Sequence, residues 1–309
     1  MHRSLELTVP PTVTEDLCQQ LVALDEVVSL SVQKGISRKP AGDVISVQVL
    51  NRGADDVLRL AGKAVARPED LSVATAELSS IIAPAEGEKI LNDKDEAIWE
   101  EVEAGLRHQG RPTPNYLALM GLGGIMAAVG LVSEPVPQAV AFIASSIIAP
   151  GFEPVAAIPM GVVLGRWQVV ARGLRSTVIG YSLFMLMAGL TMLLLVQVGE
   201  SSATELANNP EVRSMAQPTL KTILVSACGA AAGIVIIAAY RRSVIAGALI
   251  ALILMPAAAL VGCGLAVGRS NLASEGLTRF LIDVGFVLGL GLLIFYCKQR
   301  FQHQRRPLE

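Results

Sequence analysis

A chain of 309 residues that is 52% hydrophobic and only 17% charged, with a mean hydropathy of +0.53, holds more apolar surface than a soluble domain can hide. A formal net charge of -2 gives no bulk attraction for nucleic acid, so no nucleic-acid partner is expected. The four cysteines (Cys18, Cys228, Cys263 and Cys297) lack the close pairing of a metal site or disulfide framework, and neither metal nor cofactor is expected.

The excess apolarity is unevenly placed. "MHRSLELTVPP" has no sustained apolar core, so no cleavable signal is expected. Leu5 to Val9 alternates as a strand, and Val13 to Leu24 carries a helical stripe through Leu17, Leu21 and Leu24. "VVSLSVQ" and "DVISVQVLN" read as two strands joined by the turn-rich "KGISRKPAG". "ADDVLRLAGKAVA" is a second amphipathic helix, and "LSVATAEL" is a fourth strand. The order β-α-β-β-α-β predicts a soluble α+β ferredoxin-like domain over residues 1–90. A fold alone does not give a function, and an assembly or scaffold role is the leading expectation for this domain, ahead of ligand sensing. Residues 91–115 follow as a connecting helix, with Ile98, Val102 and Leu106 on one face, and a linker, "GRPTPN".

From residue 116 to residue 309 the chain predicts an α-helical polytopic membrane domain. The apolar blocks run Leu117 to Val132, Gln138 to Gly165, Thr177 to Val198, Thr219 to Tyr240, Ser243 to Val267 and Phe280 to Cys297. Each is near the length needed to cross about 30 Å of hydrocarbon, so the lipid bilayer is the first partner. Six crossings put both termini on one side. That side collects Arg107, Arg111, Arg166, Arg172, Arg175, Arg241, Arg242, Lys298, Arg300, Arg305 and Arg306, against Arg213, Lys221, Arg269 and Arg279 on the other. The bias predicts a bacterial inner-membrane protein with cytoplasmic termini.

The blocks also pair off. At a shift of 103 residues "LGRWQVVARGL" falls on "VGRSNLASEGL", so Gly165-Arg166 meets Gly268-Arg269. In each half a Gly/Ala-rich span leads to a proline-interrupted span, then a Gly-Arg loop, then a final span. Three crossings per unit make the two copies, about 116–198 and 219–298, opposite in topology. That is the plan of many secondary transporters, whose sites lie where interrupted spans of the two halves meet.

The interruptions are "IIAPGFEPV" and "LILMPAAALVG". Pro150 and Pro154 lack amide donors, Gly151 lets the backbone unwind, and Glu153 adds a carboxylate that costs about 2.5 kcal/mol or more at mid-membrane unless solvated, paired or protonated. Irregular backbone at that depth must be enclosed by protein or line a wet cavity. The candidate solute or ion site therefore comprises Pro150, Gly151, Glu153 and Pro154 with Met255 and Pro256, and Ser145 and Ser146 could supply hydroxyls. The bland reading is a kink with a solvated Glu153. Asp283, four residues after Arg279, reads as an i, i+4 interfacial ion pair, and Arg166 and Arg269 as anchors of span ends.

"ASSIIAPGFEPVAAIPMGVVLG" and, about a hundred residues on, "RRSVIAGALIALILMPAAALVGCGLA" resemble the prokaryotic uncharacterised hydrophobic family, domain of unknown function 389, from about Tyr116 to Tyr296. The family's first signature commonly has two prolines separated by two or three mostly apolar or Gly residues, where this chain has Pro150-Gly-Phe-Glu-Pro154 with an acid in the gap. Its second usually has adjacent prolines, where this chain has Met255-Pro256. The resemblance implies a membrane fold and no substrate. The leading expectation is a transporter of a small solute or ion; the alternatives are a membrane-anchored sensor or assembly protein, and an ion channel. Gly/Ala-rich faces and sheet edges leave room for a homo-oligomer. No enzymatic motif is present in the spans.

Overall fold

The computed structural model describes residues 2–93, 97–216, 218–239, 244–302 and 305, without the side chains of residues 216 and 244–252. The chain forms two compact units, residues 1–102 with 297–309, and residues 103–296.

The first unit is a mixed α/β layer structure. Its elements run β1 (His2–Val9), α1 (Pro11–Val22), β2 (Val27–Arg38), β3 (Ala41–Val49), α2 (Ala54–Ala64), β4 (Ser72–Leu78), the short α3 (Gly87–Leu91), and the start of α4 (Trp99–Gln109). The sheet order is β2-β3-β1-β4 with every neighbouring pair antiparallel. Period-two alternation puts Leu5, Leu7 and Val9 of β1 and Ile45, Val47 and Val49 of β3 on one face, where Leu17 and Leu21 of α1 and Val57, Leu58 and Ala61 of α2 close over them. One expectation fails in detail. The stretch "KGISRKPAG" is largely strand, because β2 runs on to Arg38 and re-pairs with β3 at Ser37–Gly42 after an irregularity at Gly35, whose φ of 62° suits only glycine. Asp43 braces that irregularity. Its carboxylate accepts from the Gly35 amide at 2.7 Å and the Thr14 hydroxyl at 2.8 Å, which holds it below the usual carboxylate range.

Arg3 continues the inward row of β1 and is wholly buried. It is held at a cost in desolvation by Glu101, 2.8 Å from Nη1, and by Asn51, whose Oδ1 accepts from Nε at 3.2 Å. Removing the cation strands a buried carboxylate. Arg3→Met is therefore expected to lower the stability of this unit by about 3–5 kcal/mol, read as a shift in the urea midpoint at unchanged slope. The end of the chain also belongs here: the ammonium of Lys298 lies 5.5 Å from the Trp99 ring centre, and Arg305 pairs with Glu100 at 2.9 Å.

The second unit is helical. After α4 come α5 (Pro114–Leu131), α6 (Pro135–Ile148), α7 (Phe152–Val163), α8 (Trp167–Val198), the short α9 (Ala203–Asn208) and α10 (Pro210–Ala216), then α11 (Leu220–Ala238), α12 (Val244–Ala266) and α13 (Ser270–Phe301). Among the described residues α5, α8, α11 and α13 are each long and apolar enough to cross a membrane, and α6 with α7 makes a fifth candidate bent by 51°. The chain thus has a polytopic membrane region. Helices α8 and α13 are 32 residues each, about 48 Å, longer than the hydrocarbon of a bilayer.

Small residues set the packing. A Cβ on Gly124 of α5 would fall 2.3 Å from the Phe184 carbonyl oxygen of α8, and one on Gly262 of α12 would fall 2.0 Å from that of Met185. These helices touch backbone to backbone, as membrane helices do where glycine permits it. The Leu254–Leu260 stretch of α12 is buried on every side, as is most of α7, so both are central helices.

The Gly-Arg loops have one geometry. Gly165 and Gly268 sit at φ of 66° and 69°, and in each loop the arginine amide reaches back five residues, Arg166 to the Gly161 carbonyl and Arg269 to that of Gly264, both at 2.8 Å. This is a Schellman closure, made twice. Beyond it Gly161 faces Val170 as Gly264 faces Ala273, and Gly173 faces the Pro154 carbonyl as Gly276 faces that of Ala257. All four correspondences keep the 103-residue shift.

One expected interruption is absent. Pro256 lies inside helix α12, which runs unbroken through it. A lone proline removes one donor, and a neighbouring helix can shield the freed carbonyl. Here it has no glycine beside it and no second proline a turn away, unlike Pro150-Gly151 and Pro154.

Candidate functional site

The break between α6 and α7 follows from three residues. Helix α6 ends where Ala149 donates to the Ser145 carbonyl at 2.9 Å, and Pro150 then has no amide to extend the ladder. The Gly151 amide turns back to the Ala149 carbonyl at 2.8 Å instead. Pro154 falls in the first turn of α7, where missing donors are tolerated, so α7 restarts at Phe152. The cost falls on the Pro150 carbonyl, whose helical donor would have been the amide that Pro154 lacks.

Glu153 is the second residue of α7. Its position in the first turn favours a negative charge through the helix dipole. Yet its Oε2 is buried without a hydrogen-bond partner among the described residues. Tyr181 of α8 has a buried hydroxyl in the same condition. The two belong to one locality. A Cβ added to Gly151 would lie 2.7 Å from the Tyr181 hydroxyl and 2.7 Å from Met255 Cε, so α8, α12 and the break converge where only glycine fits. Tyr181 also packs on Phe280 of α13, ring centres 4.7 Å apart. Tyr116 of α5 closes the group: its hydroxyl donates to the Ser176 carbonyl at 3.1 Å and presses against Gly180, next to Tyr181.

Of the residues singled out in the sequence, Gly151 and Met255 meet directly, with Pro150 next to Gly151 in the chain, Glu153 and Pro154 in the next turn and Pro256 beside Met255. Ser145 and Ser146 are buried but spent. Ser145 donates to the Gly123 carbonyl and Ser146 to that of Ile143, both at 2.8 Å. Ser145 thus ties α6 to α5 rather than facing outward.

The expected interface charges are placed differently from one another. Arg166 pairs with the buried Glu103 of α4 at 2.5 Å, while Arg269 is exposed at the matching loop. Asp283 pairs with Arg279 at 3.0 Å, and both are enclosed, with Arg279 also donating to Ser226 of α11. Sequence reasoning missed Tyr116, Tyr181 and Glu103. The signal for the first two was a tyrosine at the edge of one apolar block and one inside another; nothing in the sequence links Glu103 to Arg166.

Residues 146–288 match the family model described as Domain of unknown function (DUF389). That stretch holds the break, α12 and the Arg279–Asp283 pair, and begins later than the resemblance read at Tyr116. No curated protein and no solved structure matches the chain.

Proposed function

We propose that the helical unit carries a small solute or ion across the bacterial inner membrane, with Glu153 as its proton or cation site. The observation that carries this is a carboxylate oxygen buried without a partner at a broken helix, beside a glycine pressed against Met255 and Tyr181. A permanently charged group in that setting would be costly, and a proton or cation relieves the cost when it arrives.

We read the unit as six crossings in two inverted three-helix repeats, α5 to α8 and α11 to α13. The twin Schellman loops, the equal lengths of α8 and α13 and the shared 103-residue shift support this. So does an exchange of contacts: α12 meets α8 at Gly262, while α7 meets α13 where a Cβ on Gly291 would touch Pro159 at 2.7 Å. Gly262 and Pro159 are equivalent under the shift, as a two-fold relation requires. The break exists in the first repeat alone, so the site is asymmetric. The first unit we read as ferredoxin-like from its element and sheet order, and the arginine bias favours cytoplasmic termini.

The test is flux. The protein reconstituted in liposomes holding a pH-sensitive dye is expected to admit protons under an imposed potassium-valinomycin potential, alone or when a mixed pool of ions and small metabolites is supplied. Proton and solute movement equal to protein-free liposomes under all these conditions removes the carrier reading.

A further inference from the structure

Between α4, α7 and α8 lies a shallow, partly open cleft, lined in part by Pro154 of the turn that carries Glu153. Arg107 and Arg111 enter it from the end of α4 and the segment after it, and Arg172 enters from the first turns of α8. All three are exposed, and none has an ion pair with a described residue. The one acid in the lining, Glu103, is already engaged by Arg166. Three cations from two separate segments therefore face a common space without compensation. Charges that merely orient spans need only lie on the correct side of the membrane and have no reason to converge on one cleft.

The floor is of a different character. Leu106, Pro154, Ala157, Met160 and Val169 line it with apolar surface. The segment bearing Arg111 is fixed over that floor, since a Cβ on Gly110 would lie 3.2 Å from the Pro154 amide nitrogen. A cationic rim over an apolar floor fits an anion with an apolar body. Guanidinium groups prefer phosphate, which they bind as a planar fork.

We infer that the cleft between α4, α7 and α8 is a binding site for a phosphate-bearing anion held by Arg107, Arg111 and Arg172. The bound group ties the segment before the first span to the start of α8, directly over the turn that carries Glu153. This site stands independently of whether Glu153 moves a proton.

The test uses the full-length protein in a neutral detergent. Thermal unfolding is followed with inorganic phosphate against chloride at equal ionic strength, and with phosphatidylglycerol against phosphatidylcholine. The wild type is compared with Arg107→Gln/Arg172→Gln, and with Arg269→Gln as a control cation outside the cleft, from the Gly268-Arg269 loop. Stabilisation by phosphate or phosphatidylglycerol is expected in the wild type and the control, with apparent affinity at least about tenfold weaker in the double variant. Response to phosphatidylglycerol alone identifies a lipid headgroup; response to free phosphate identifies a soluble anion. Should the double variant not fold, Arg172→Lys, which keeps the charge and loses the fork, is expected to weaken binding while Arg269→Lys does not. Absence of stabilisation of the wild type by either probe, or equal stabilisation of wild type, cleft variants and controls, overturns the site.

Discussion

Gly262→Ala is expected to unfold or strongly destabilise the helical unit, although the change adds one methyl group and improves intrinsic helix propensity. The new Cβ would stand 2.0 Å from the Met185 carbonyl oxygen, 2.8 Å from its carbon and 3.1 Å from the Gly189 amide nitrogen. All three are backbone atoms of α8, so no rotamer change relieves the clash and α8 and α12 must separate. Overpacking of side chains costs about 1–3 kcal/mol, and a backbone collision belongs at or above the top of that range. Gly285→Ala is the control. Nothing lies within 4 Å of its Cβ position, and replacing a mid-helix glycine there is expected to be neutral or to stabilise by up to about 1 kcal/mol. The readout is the detergent-solubilised protein's thermal midpoint and its elution as a single species. Two Gly→Ala changes that shift the midpoint in the same direction would contradict the contact between α8 and α12.

Glu153→Gln is expected to leave the fold intact and to end proton-linked movement. Glutamine has nearly the same volume and cannot ionise, so the burial cost of the charged form disappears and stability is unchanged or rises. If Glu153 takes up and releases the coupling proton, flux in liposomes falls at least about tenfold and the remaining rate no longer depends on pH. Glu153→Asp, which retains an acid on a shorter arm, is expected to keep a reduced, pH-dependent rate. A folded Glu153→Gln protein that moves protons at the wild-type rate would assign Glu153 a structural part at the α7 N-terminus, where the helix dipole already favours it.

Much of this architecture could be read from residues alone, for physical reasons. Spans announce themselves through length and composition, and the first break through two prolines around a glycine, because local backbone chemistry decides both. The Gly-Arg loops were visible for the same reason: Gly165 and Gly268 are needed where φ is positive. The second proline was misread because a lone Pro256 is a local signal whose outcome depends on what surrounds it, and α12 is enclosed by protein. The extension of β2 through Ile36 was hidden by the glycine, lysines and proline around it. Least visible were the pairs made across long separations, such as Arg3 with Glu101, Glu103 with Arg166, and Gly151 with Tyr181 and Met255. Each is fixed by packing, which sequence spacing does not encode.

The twin loops at Gly165 and Gly268 bear on how such a protein acquires its sidedness. A helical hairpin closed by the same hydrogen bonds whichever way up it stands has no intrinsic top or bottom; its internal contacts are equally good in both poses. Direction must then be conferred by something other than those hydrogen bonds, the cations that resist translocation. Early in its second helix the first hairpin carries Arg172 and Arg175, where the second has Glu275 and Thr278 in the same places. On the reading of two inverted repeats proposed above, exchanging those few charges, with no alteration to any buried residue, is the smallest edit that should set the two halves competing over which end faces the cell interior.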